Sequence, residues 1–243
     1  MGLLSTLRLI IALLIPALCA IALGAGLRLL GHSQQRIVLS MARLVGKLGP
    51  ALAGTPVICP DSATLATTSP AVILFNHQSG LDPVIVASLL RHPVTGIAKA
   101  ELADNPLLGP LLRLSGNLFI KRGEGWKEQL LPQAERSVAE GFSIVIAPEG
   151  TRTRNGNTGP FRLGAFAIAQ HCSLPIIPIV IHNSGTRLPA RSTKLQPGPV
   201  YVSVLKPIHI PADMDLQQAA NEMKQRYDAC LAQGFSPDQP SVG

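Results

Sequence analysis

Hydrophobic and polar positions form three successive patterns along this 243-residue chain. The first is an uncharged apolar run from Leu9 to Leu27, bounded by Arg8 and Arg28. As a helix it is about 28 Å long, close to the roughly 30 Å core of a bilayer. The run predicts a membrane helix, and Pro16 leaves both a straight span and a kinked, re-entrant helix open. A secretory signal cleaved near 20–22 is the second-ranked alternative, because the apolar run continues beyond that point.

The second pattern is an amphipathic helix over residues 33–48. Its apolar face carries Ile37, Met41, Leu44, Val45 and Leu48, and its polar face carries Arg36, Ser40, Arg43 and Lys47. A basic face opposite an apolar one favours a helix in the lipid headgroup plane, with packing on the rest of the protein as the alternative. Residues 1–50 are thus predicted to form a membrane-associated two-helix unit. If the first helix spans, four basic residues after it against one before place the remaining chain in the cytoplasm.

The third pattern is an alternation of strand-like and helix-like segments. Strands are predicted at 71–76, 94–98, 117–121, 143–147, 176–181 and 200–205. Helices are predicted at 83–91, 106–114, 126–140, 161–171 and 214–232. Residues 49–70 are predicted to be a connector with at most one short strand. This alternation predicts an α/β domain over 51–233 with a largely parallel, mixed sheet flanked by helices. The Pro- and Ser-rich tail, 234–243, is predicted to be disordered.

Composition and charge strengthen the membrane interpretation. Apolar residues make up 47% of the chain and charged residues only 14%, against about 25% in typical soluble domains. Residues 1–60 hold five basic residues and no acid, whereas the remainder is nearly balanced within a net charge of +7. A basic, apolar segment without aromatic residues points to an anionic lipid surface and not to nucleic acid. The four cysteines show no paired spacing, which suits a reducing compartment and indicates neither disulfides nor a zinc site.

A polar stretch, Asn76–Asp82, follows the predicted strand at 71–76. Asp82 is predicted to be the N-cap of the next helix, with Pro83 at the first helical position. A tight turn between His77 and Asp82 can bring the two side chains together, so that the carboxylate orients the imidazole as a general base. The alternative is a polar turn in which His77 only satisfies a backbone group. An isolated His and Asp do not decide between the two.

Further charged residues follow other predicted strands. Lys99, Arg122 and Arg152 each come at or just after a strand end, where α/β sheets place ligand sites. Taken singly, each is best explained as a solvated charge. Taken together around a His–Asp pair, they indicate a bound phosphate beside a general base.

These stretches resemble, in order, the motifs of the glycerolipid acyltransferase family, in particular the 1-acylglycerol-3-phosphate acyltransferases. The N-H-x-S-x-x-D motif corresponds to Asn76–Asp82, A-K-x-E-L to Ala98–Leu102, F-I-x-R to Phe119–Arg122, P-E-G-T-R to Pro148–Arg152, and an apolar stretch with a central proline to Pro175–Ile181. The chain departs from the family at Lys121, where an acid is common, and at Ala147, where Phe is common. Neither departure involves the His–Asp pair.

The resemblance implies a glycerol-3-phosphate acyltransferase-like fold and a site in which each residue has a role. His77 would be the general base and Asp82 its orienting carboxylate. The acceptor phosphate would be bound by Lys99, Arg122 and Arg152, and the loops would be shaped by Asn76, Ser79, Glu149, Gly150 and Thr151. The acceptor would be a lysophospholipid, lysophosphatidate in particular, and the donor acyl-CoA or acyl carrier protein. No metal or cofactor is required.

The resemblance also implies two N-terminal helices that dip into one leaflet and bring the site to the lipid headgroups. The enzyme is expected at the inner or cell membrane, with the catalytic domain facing the cytoplasm. Another lysolipid or glycerol 3-phosphate stays open as the acceptor. A thioesterase is less favoured, because the chain has no G-x-S-x-G turn and adjacent His171 and Cys172 diverge on a helix. A lipid-binding module without activity is disfavoured, because binding alone does not need an intact His–Asp pair.

Overall fold

The computed structural model describes residues 2–121, 123, 125–153 and 158–236. Within these residues the strands form one seven-stranded sheet in the order β1-β7-β6-β2-β5-β3-β4. The strands are β1 (Val57–Ile58), β2 (Val72–Phe75), β3 (Val94–Lys99), β4 (Leu118–Ile120), β5 (Ser143–Ile146), β6 (Ile176–Ile181) and β7 (Val200–Val204). The five strands from β6 to β4 run parallel, whereas β7 is antiparallel to β6 and β1 is parallel to β7. The predicted α/β class with a largely parallel, mixed sheet is confirmed.

Helices cover both faces of this sheet. They are α1 (Gly2–Leu29), α2 (Gln34–Ala53), α3 (Thr64–Thr67), α4 (Asp82–Leu89), α5 (Leu108–Leu114), α6 (Trp126–Ala139), α7 (Gly164–His171), α8 (Ser184–Arg187) and α9 (Leu216–Gln233), with a 3-10 helix at Ala100–Asp104. Because side chains alternate along a strand, Ile73 and Phe75 join the core beneath α1, α2 and α4, whereas Val72 and Leu74 join the core beneath α6, α7 and α9. The sheet is therefore buried on both faces, as its apolar strands require.

The parallel strands bring the predicted motifs to one edge of the sheet. Parallel strands share one direction, so the carboxyl ends of β6, β2, β5, β3 and β4 lie along the same edge. The Asn76–Asp82 stretch follows β2, and the Pro148–Arg152 stretch follows β5, the neighbour of β2. The candidate site is assembled at this edge from segments distant in sequence.

The N-terminal helices lie against the domain and are not separate from it. The buried side of α1 includes Leu9, Ala12 and Ala20, while its other side exposes large apolar residues. Near its start, Ser5 donates to the Leu195 carbonyl at 2.9 Å and Arg8 Nε to the Leu52 carbonyl at 3.0 Å. One side of α1 is thus protein-bound, and the other is an unpartnered apolar surface within the described chain.

The apolar face of α2 packs on protein, as the alternative interpretation had it. Ile37 and Met41 are buried in a cluster with Ala20 of α1, and α2 also packs on α4. The basic side, with Arg36, Arg43 and Lys47, is exposed. The apolar face of α2 is therefore in contact with protein, as the packed alternative predicts, with Leu44, Val45 and Leu48 only partly buried. The position of α2 at the headgroups stays a prediction.

Several boundaries also differ from the predicted ones. The hydrophobic pattern predicts that the second helix ends at residue 48, whereas α2 continues to Ala53 and is capped by Gly54, whose φ of 65° is left-handed. The predicted domain boundary at residue 50 consequently falls inside α2. The predicted tail begins at 234, but Phe235 stacks on Tyr201 with ring centroids 4.7 Å apart. Residues 237–243 lie outside the described residues.

Candidate active site

Asn76 fixes the point where β2 ends and the site begins. Its side-chain amide donates to the Ile181 carbonyl at 2.9 Å, and its carbonyl accepts from the Ile181 amide at 2.7 Å. These two bonds continue the pairing of β2 with β6 through a side chain, and Asn76 is fully buried. The backbone that enters the His77 turn is thereby held in place.

His77 and Asp82 are in direct contact, as the tight turn predicts. The distance from His77 Nδ1 to Asp82 Oδ2 is 2.8 Å. Because an ionised carboxylate only accepts hydrogen bonds, this contact assigns the proton to Nδ1 and leaves a lone pair on Nε2. The imidazole is 22% exposed, and no described residue bonds Nε2. The free nitrogen can therefore accept a proton from an incoming group.

Asp82 is held by the turn that it closes. Its Oδ2 also accepts from the backbone amides of Gln78 and Ser79, both at 2.7 Å. The predicted N-cap is shifted by one residue, since Leu81 occupies the cap and Asp82 is the first helical residue. Its carboxylate turns back to the preceding amides and does not cap its own helix. Asp82 is fully buried, so these donors replace the water that it loses.

Ser79 joins the same turn to a distant loop. Its hydroxyl donates to the Leu188 carbonyl at 2.9 Å and accepts from the Leu81 amide at 3.2 Å. The side chain is fully buried. It is therefore placed to support the turn and not to act as a nucleophile.

Glu149 supports His77 through the backbone. One carboxylate oxygen accepts from the His77 amide at 2.8 Å, and the other accepts from the Gly159 amide at 3.3 Å. Burial raises the pKa of the Glu149 carboxyl, and the bonds from these two amides oppose that rise. The motif resemblance assigned Glu149 only a loop-shaping role. Its link to His77 could not be seen in the sequence, because it depends on β5 lying beside β2.

The rest of the P-E-G-T-R stretch brings a cation next to the turn. Gly150 has a left-handed φ of 64°, and Thr151 and Arg152 are exposed. A Cβ built on Gly80 would lie 3.6 Å from Arg152 Nη1, so the guanidinium lies beside the His–Asp turn. Thr153 then donates its amide to the His77 carbonyl at 2.8 Å, which ties the two stretches together.

The other predicted cations follow strands farther along the sheet. Lys99 is the last residue of β3, is exposed, and pairs in register with Ile120 of β4. With strands about 4.8 Å apart, β3 lies roughly 10 Å from β2, on the far side of β5. Arg122 lies outside the described residues. Arg152 is thus placed nearest the His–Asp turn, and Lys99 extends the basic edge away from it.

Other reactive side chains do not form an alternative centre in the described chain. Burial raises the pKa of the Cys172 thiol, which disfavours the nucleophilic thiolate. His171, the residue before it, instead faces Glu135 at 3.5 Å. Ser184 is fully buried. Among the described residues, no group of three or more His, Cys, Asp or Glu side chains could hold a metal ion.

Comparison with known proteins identifies the family of the chain. The family model described as Acyltransferase matches residues 57–182. The 1-acyl-sn-glycerol-3-phosphate acyltransferase of Salmonella typhimurium is 31% identical over 175 residues, covering 71% of this chain and 70% of that protein. The enzyme of the same name from Escherichia coli is 30% identical over 181 residues, with the same coverage.

A solved structure shows the same fold. The crystal structure of the 1-acyl-sn-glycerophosphate acyltransferase PlsC from Thermotoga maritima has a TM-score of 0.79 at 21% identity, covering 97% of this chain and 98% of that one. The match extends over the N-terminal helices as well as the sheet. From the family match, the similarity to these relatives and the ordered motifs, the chain belongs to the glycerolipid acyltransferase family that includes the 1-acyl-sn-glycerol-3-phosphate acyltransferases.

Proposed function

We propose that this acyltransferase moves a fatty acyl group from a thioester to the free sn-2 hydroxyl of lysophosphatidate, giving phosphatidate for phospholipid biosynthesis. The observation that carries the proposal is the His77–Asp82 pair, with Nε2 open and Arg152 beside the same turn. The printed names of the Salmonella typhimurium and Escherichia coli relatives support the choice of acceptor.

In this proposal the reaction is a direct transfer. His77 Nε2 takes the proton of the acceptor hydroxyl as its oxygen attacks the thioester carbonyl. Asp82 stabilises the imidazolium that forms, because its buried carboxylate already accepts from Nδ1. The tetrahedral intermediate collapses, the carbon–sulfur bond breaks, and the leaving thiolate takes the proton back from His77. The new ester and the free thiol account for every atom.

The acceptor phosphate is held by the basic edge of the sheet. Arg152 offers a bidentate guanidinium beside the turn that carries His77, and Lys99 adds charge farther along the sheet. Arg122 is assigned to the same phosphate from its F-I-x-R motif alone. Because the phosphate and the reacting hydroxyl belong to one small molecule, fixing the phosphate orients the hydroxyl on the base. Acyl-CoA and acyl carrier protein present the same thioester, so either donor fits this chemistry.

Helices α1 and α2 are proposed to bind the membrane, which also contains the lysolipid acceptor. By length and composition α1 is able to cross a bilayer. Its one-sided packing on the domain instead favours immersion of the exposed apolar side in a single leaflet, with the basic side of α2 at anionic headgroups. A catalytic domain on the cytoplasmic side of the inner or cell membrane is part of the same proposal. The basic residues around the apolar run of α1, four after it and one before it, support that side for a helix that spans.

The experiment is an acceptor panel with both donor types, read out by product mass. The full chain, purified in detergent or vesicles, is given lysophosphatidate, other lysolipids or glycerol 3-phosphate. Transfer to lysophosphatidate is expected to be fastest, and His77→Ala to lower it about 10²–10⁴-fold while lysolipid binding survives. Thioester loss without a new diacyl product, or full transfer by His77→Ala, would overturn the proposal.

The phosphate assignment has its own matched pair of variants. Arg152→Ala is expected to raise the KM for lysophosphatidate about 10-fold or more, because a charge-assisted bond to phosphate is lost. Arg136→Ala removes an arginine of α6 that is also exposed and is expected to leave the KM unchanged. Equal KM values for both variants would show that Arg152 does not bind the acceptor.

A further inference from the structure

Helix α9 is joined to the segment that follows the P-E-G-T-R stretch. The Thr158 hydroxyl donates to Asp228 Oδ1 at 2.5 Å, and Lys224 Nζ contacts Asp228 Oδ2 at 2.5 Å. Thr158 is 7% exposed, so the bond is shielded on one side. Burial alone raises the pKa of Asp228, but the hydrogen bonds from Lys224 and Thr158 outweigh burial and lower it. The carboxylate therefore stays charged while it accepts both bonds.

The residue next to Thr158 reaches the candidate base. Gly159 donates its amide to Glu149, and the other oxygen of Glu149 accepts from the His77 amide. A Cβ on Gly159 would lie 3.2 Å from Thr153 Cγ2, so Gly159 and Thr153 are close neighbours. Thr153 immediately follows Arg152 and donates to the His77 carbonyl. A displacement of Thr158 would thus shift the backbone at His77 through Glu149, and the backbone at Arg152 through Thr153.

The helix that holds Thr158 is itself fixed to the strand that leads to His77. Tyr227, the neighbour of Asp228, is fully buried and donates its hydroxyl to the Leu74 carbonyl of β2 at 2.7 Å. Burial raises the pKa of Tyr227 well above its usual value, so the phenol keeps the proton it donates. Two adjacent residues of α9 therefore contact β2 and the loop after β5.

We propose that Thr158 and Asp228 are positioning residues that set the distance between the acceptor phosphate at Arg152 and the base at His77. The inference rests on the proposed function for the identity of the acceptor. Without the Thr158–Asp228 bond, the Glu149–Thr153 segment gains conformational freedom that binding must remove again. An acceptor whose phosphate site is no longer held in one position binds less well in the pose that brings its hydroxyl to the base.

Steady-state kinetics of the full chain with lysophosphatidate tests this role. Thr158→Val and Asp228→Asn are expected to raise the KM for the acceptor about 10-fold, with the KM for the donor and the Tm nearly unchanged. Thr158→Ser keeps the hydroxyl and is expected to restore the wild-type KM. Glu222→Gln is the control, since this exposed α9 carboxylate bonds only Gln218 in the described chain. An unchanged acceptor KM in both test variants, or a Thr158→Ser variant as impaired as Thr158→Val, would overturn the proposal.

Hydrogen exchange tests the same contact without any substrate. Faster exchange of the His77 and Gly159 amides in Thr158→Val, but not in Thr158→Ser, supports the positioning role even if lysophosphatidate proves to be the wrong acceptor. Equal exchange in all three proteins rejects it. A third result is that the three proteins show this exchange pattern while the wild type transfers no acyl group to lysophosphatidate. That result would contradict the proposed acceptor and support the positioning contact.

Discussion

Asp82 carries an unusual share of the candidate site for one side chain. A single oxygen, Oδ2, accepts from the His77 ring and from the amides of Gln78 and Ser79, while Oδ1 has no partner among the described residues. Since a buried carboxylate is costly without donors, this arrangement fixes both the position of the charge and the rotamer of His77. Geometry and charge at this residue can therefore be separated by substitution.

Asp82→Asn tests the charge alone. The side-chain oxygen of asparagine can take the place of Oδ2 and accept the same three hydrogen bonds. Its NH2 group then occupies the position of Oδ1. What is lost is the negative charge that stabilises the imidazolium, so kcat is expected to fall about 10²–10⁴-fold with a small change in Tm. Product mass and thermal unfolding measure the two quantities. Asp104→Asn, at an exposed carboxylate, is the control, and a kcat for Asp82→Asn within a few-fold of wild type would contradict the assignment.

His182 makes stability depend on pH outside the candidate site. Burial lowers its pKa from 6.5 to about 4, and its Nε2 contacts the Ser203 hydroxyl at 2.9 Å. Between these two pKa values the unfolded chain binds the proton and the folded chain does not, so stability falls as pH falls through this window.

The expected size of this effect is modest. From pH 7 to pH 5, His182 is expected to remove about 1 kcal/mol, less than the full pKa shift implies because its ring is partly exposed. That corresponds to roughly 2–4 °C in Tm. His182→Gln retains a polar contact to Ser203 and is expected to lose that part of the pH dependence. Parallel Tm curves for the two proteins between pH 5 and pH 7 would refute the assignment.

Sequence distance decides which of these residue contacts could be predicted. His77 and Asp82 are five residues apart, so local turn chemistry alone indicates their contact. Glu149 is 72 residues from His77, and Asp228 is 70 from Thr158. Those contacts depend on which strands are neighbours and on where α9 packs, neither of which the hydrophobic pattern specifies. The catalytic and phosphate-binding roles themselves stay predictions.

At the scale of elements, the packing of α2 on α4 connects the N-terminal helices to the site. Gly46 of α2 faces the backbone of α4, where an added Cβ would lie 2.5 Å from Ser88 Cα and 2.6 Å from the Ala87 carbonyl carbon. Backbone atoms cannot turn aside as a flexible side chain can. Because α4 begins with Asp82, moving α4 away from α2 would displace Asp82 and the turn that holds His77.

Gly46→Ala and Gly26→Ala form a matched pair for this interface. Gly46→Ala is expected to cost about 1–3 kcal/mol by overpacking and to lower transfer activity. A Cβ on Gly26 of α1 would meet nothing within 4 Å, so Gly26→Ala is expected to be neutral or to stabilise by about 0.5–1 kcal/mol. Thermal unfolding and transfer rates of the two variants compare the effects. A Gly46→Ala protein as stable and active as Gly26→Ala would show that α2 can move away freely.

Element identity followed from the hydrophobic pattern more closely than element boundaries did. The six predicted strands match β2–β7 within one residue at each end, because each is a short apolar or alternating run between turn residues. The pattern failed at Pro50, since a proline usually ends a helix but lies here in the last turn of α2. It also missed α8, whose four polar or small residues carry no helical periodicity. The hydrophobic pattern does not predict the strand order, because β5 lies between β2 and β3, which are consecutive in the chain.

At the scale of the whole molecule, exposed apolar surface and exposed basic charge lie on two helices that pack against each other, α1 and α2. The outer side of α1 exposes several large apolar residues: Leu3, Leu4, Leu7, Ile10 and Leu18 are all at least half exposed. The exposed basic side of the adjoining α2 carries no acidic neighbour in its own helix. An apolar surface bordered by cations matches a bilayer with anionic headgroups better than it matches water.

A lipid competition assay tests this orientation, because each basic residue at an anionic surface contributes about 1 kcal/mol. The full chain is expected to prefer anionic over neutral vesicles about 10–100-fold at low salt, and less at high salt. Neutralising Arg36, Arg43 and Lys47 together as glutamines should remove most of that preference. The same change at Lys127, Arg136 and Lys206, which are exposed on α6 and after β7, should not. If the two triple variants lose the preference equally, net charge and not the basic side of α2 directs the protein to the membrane.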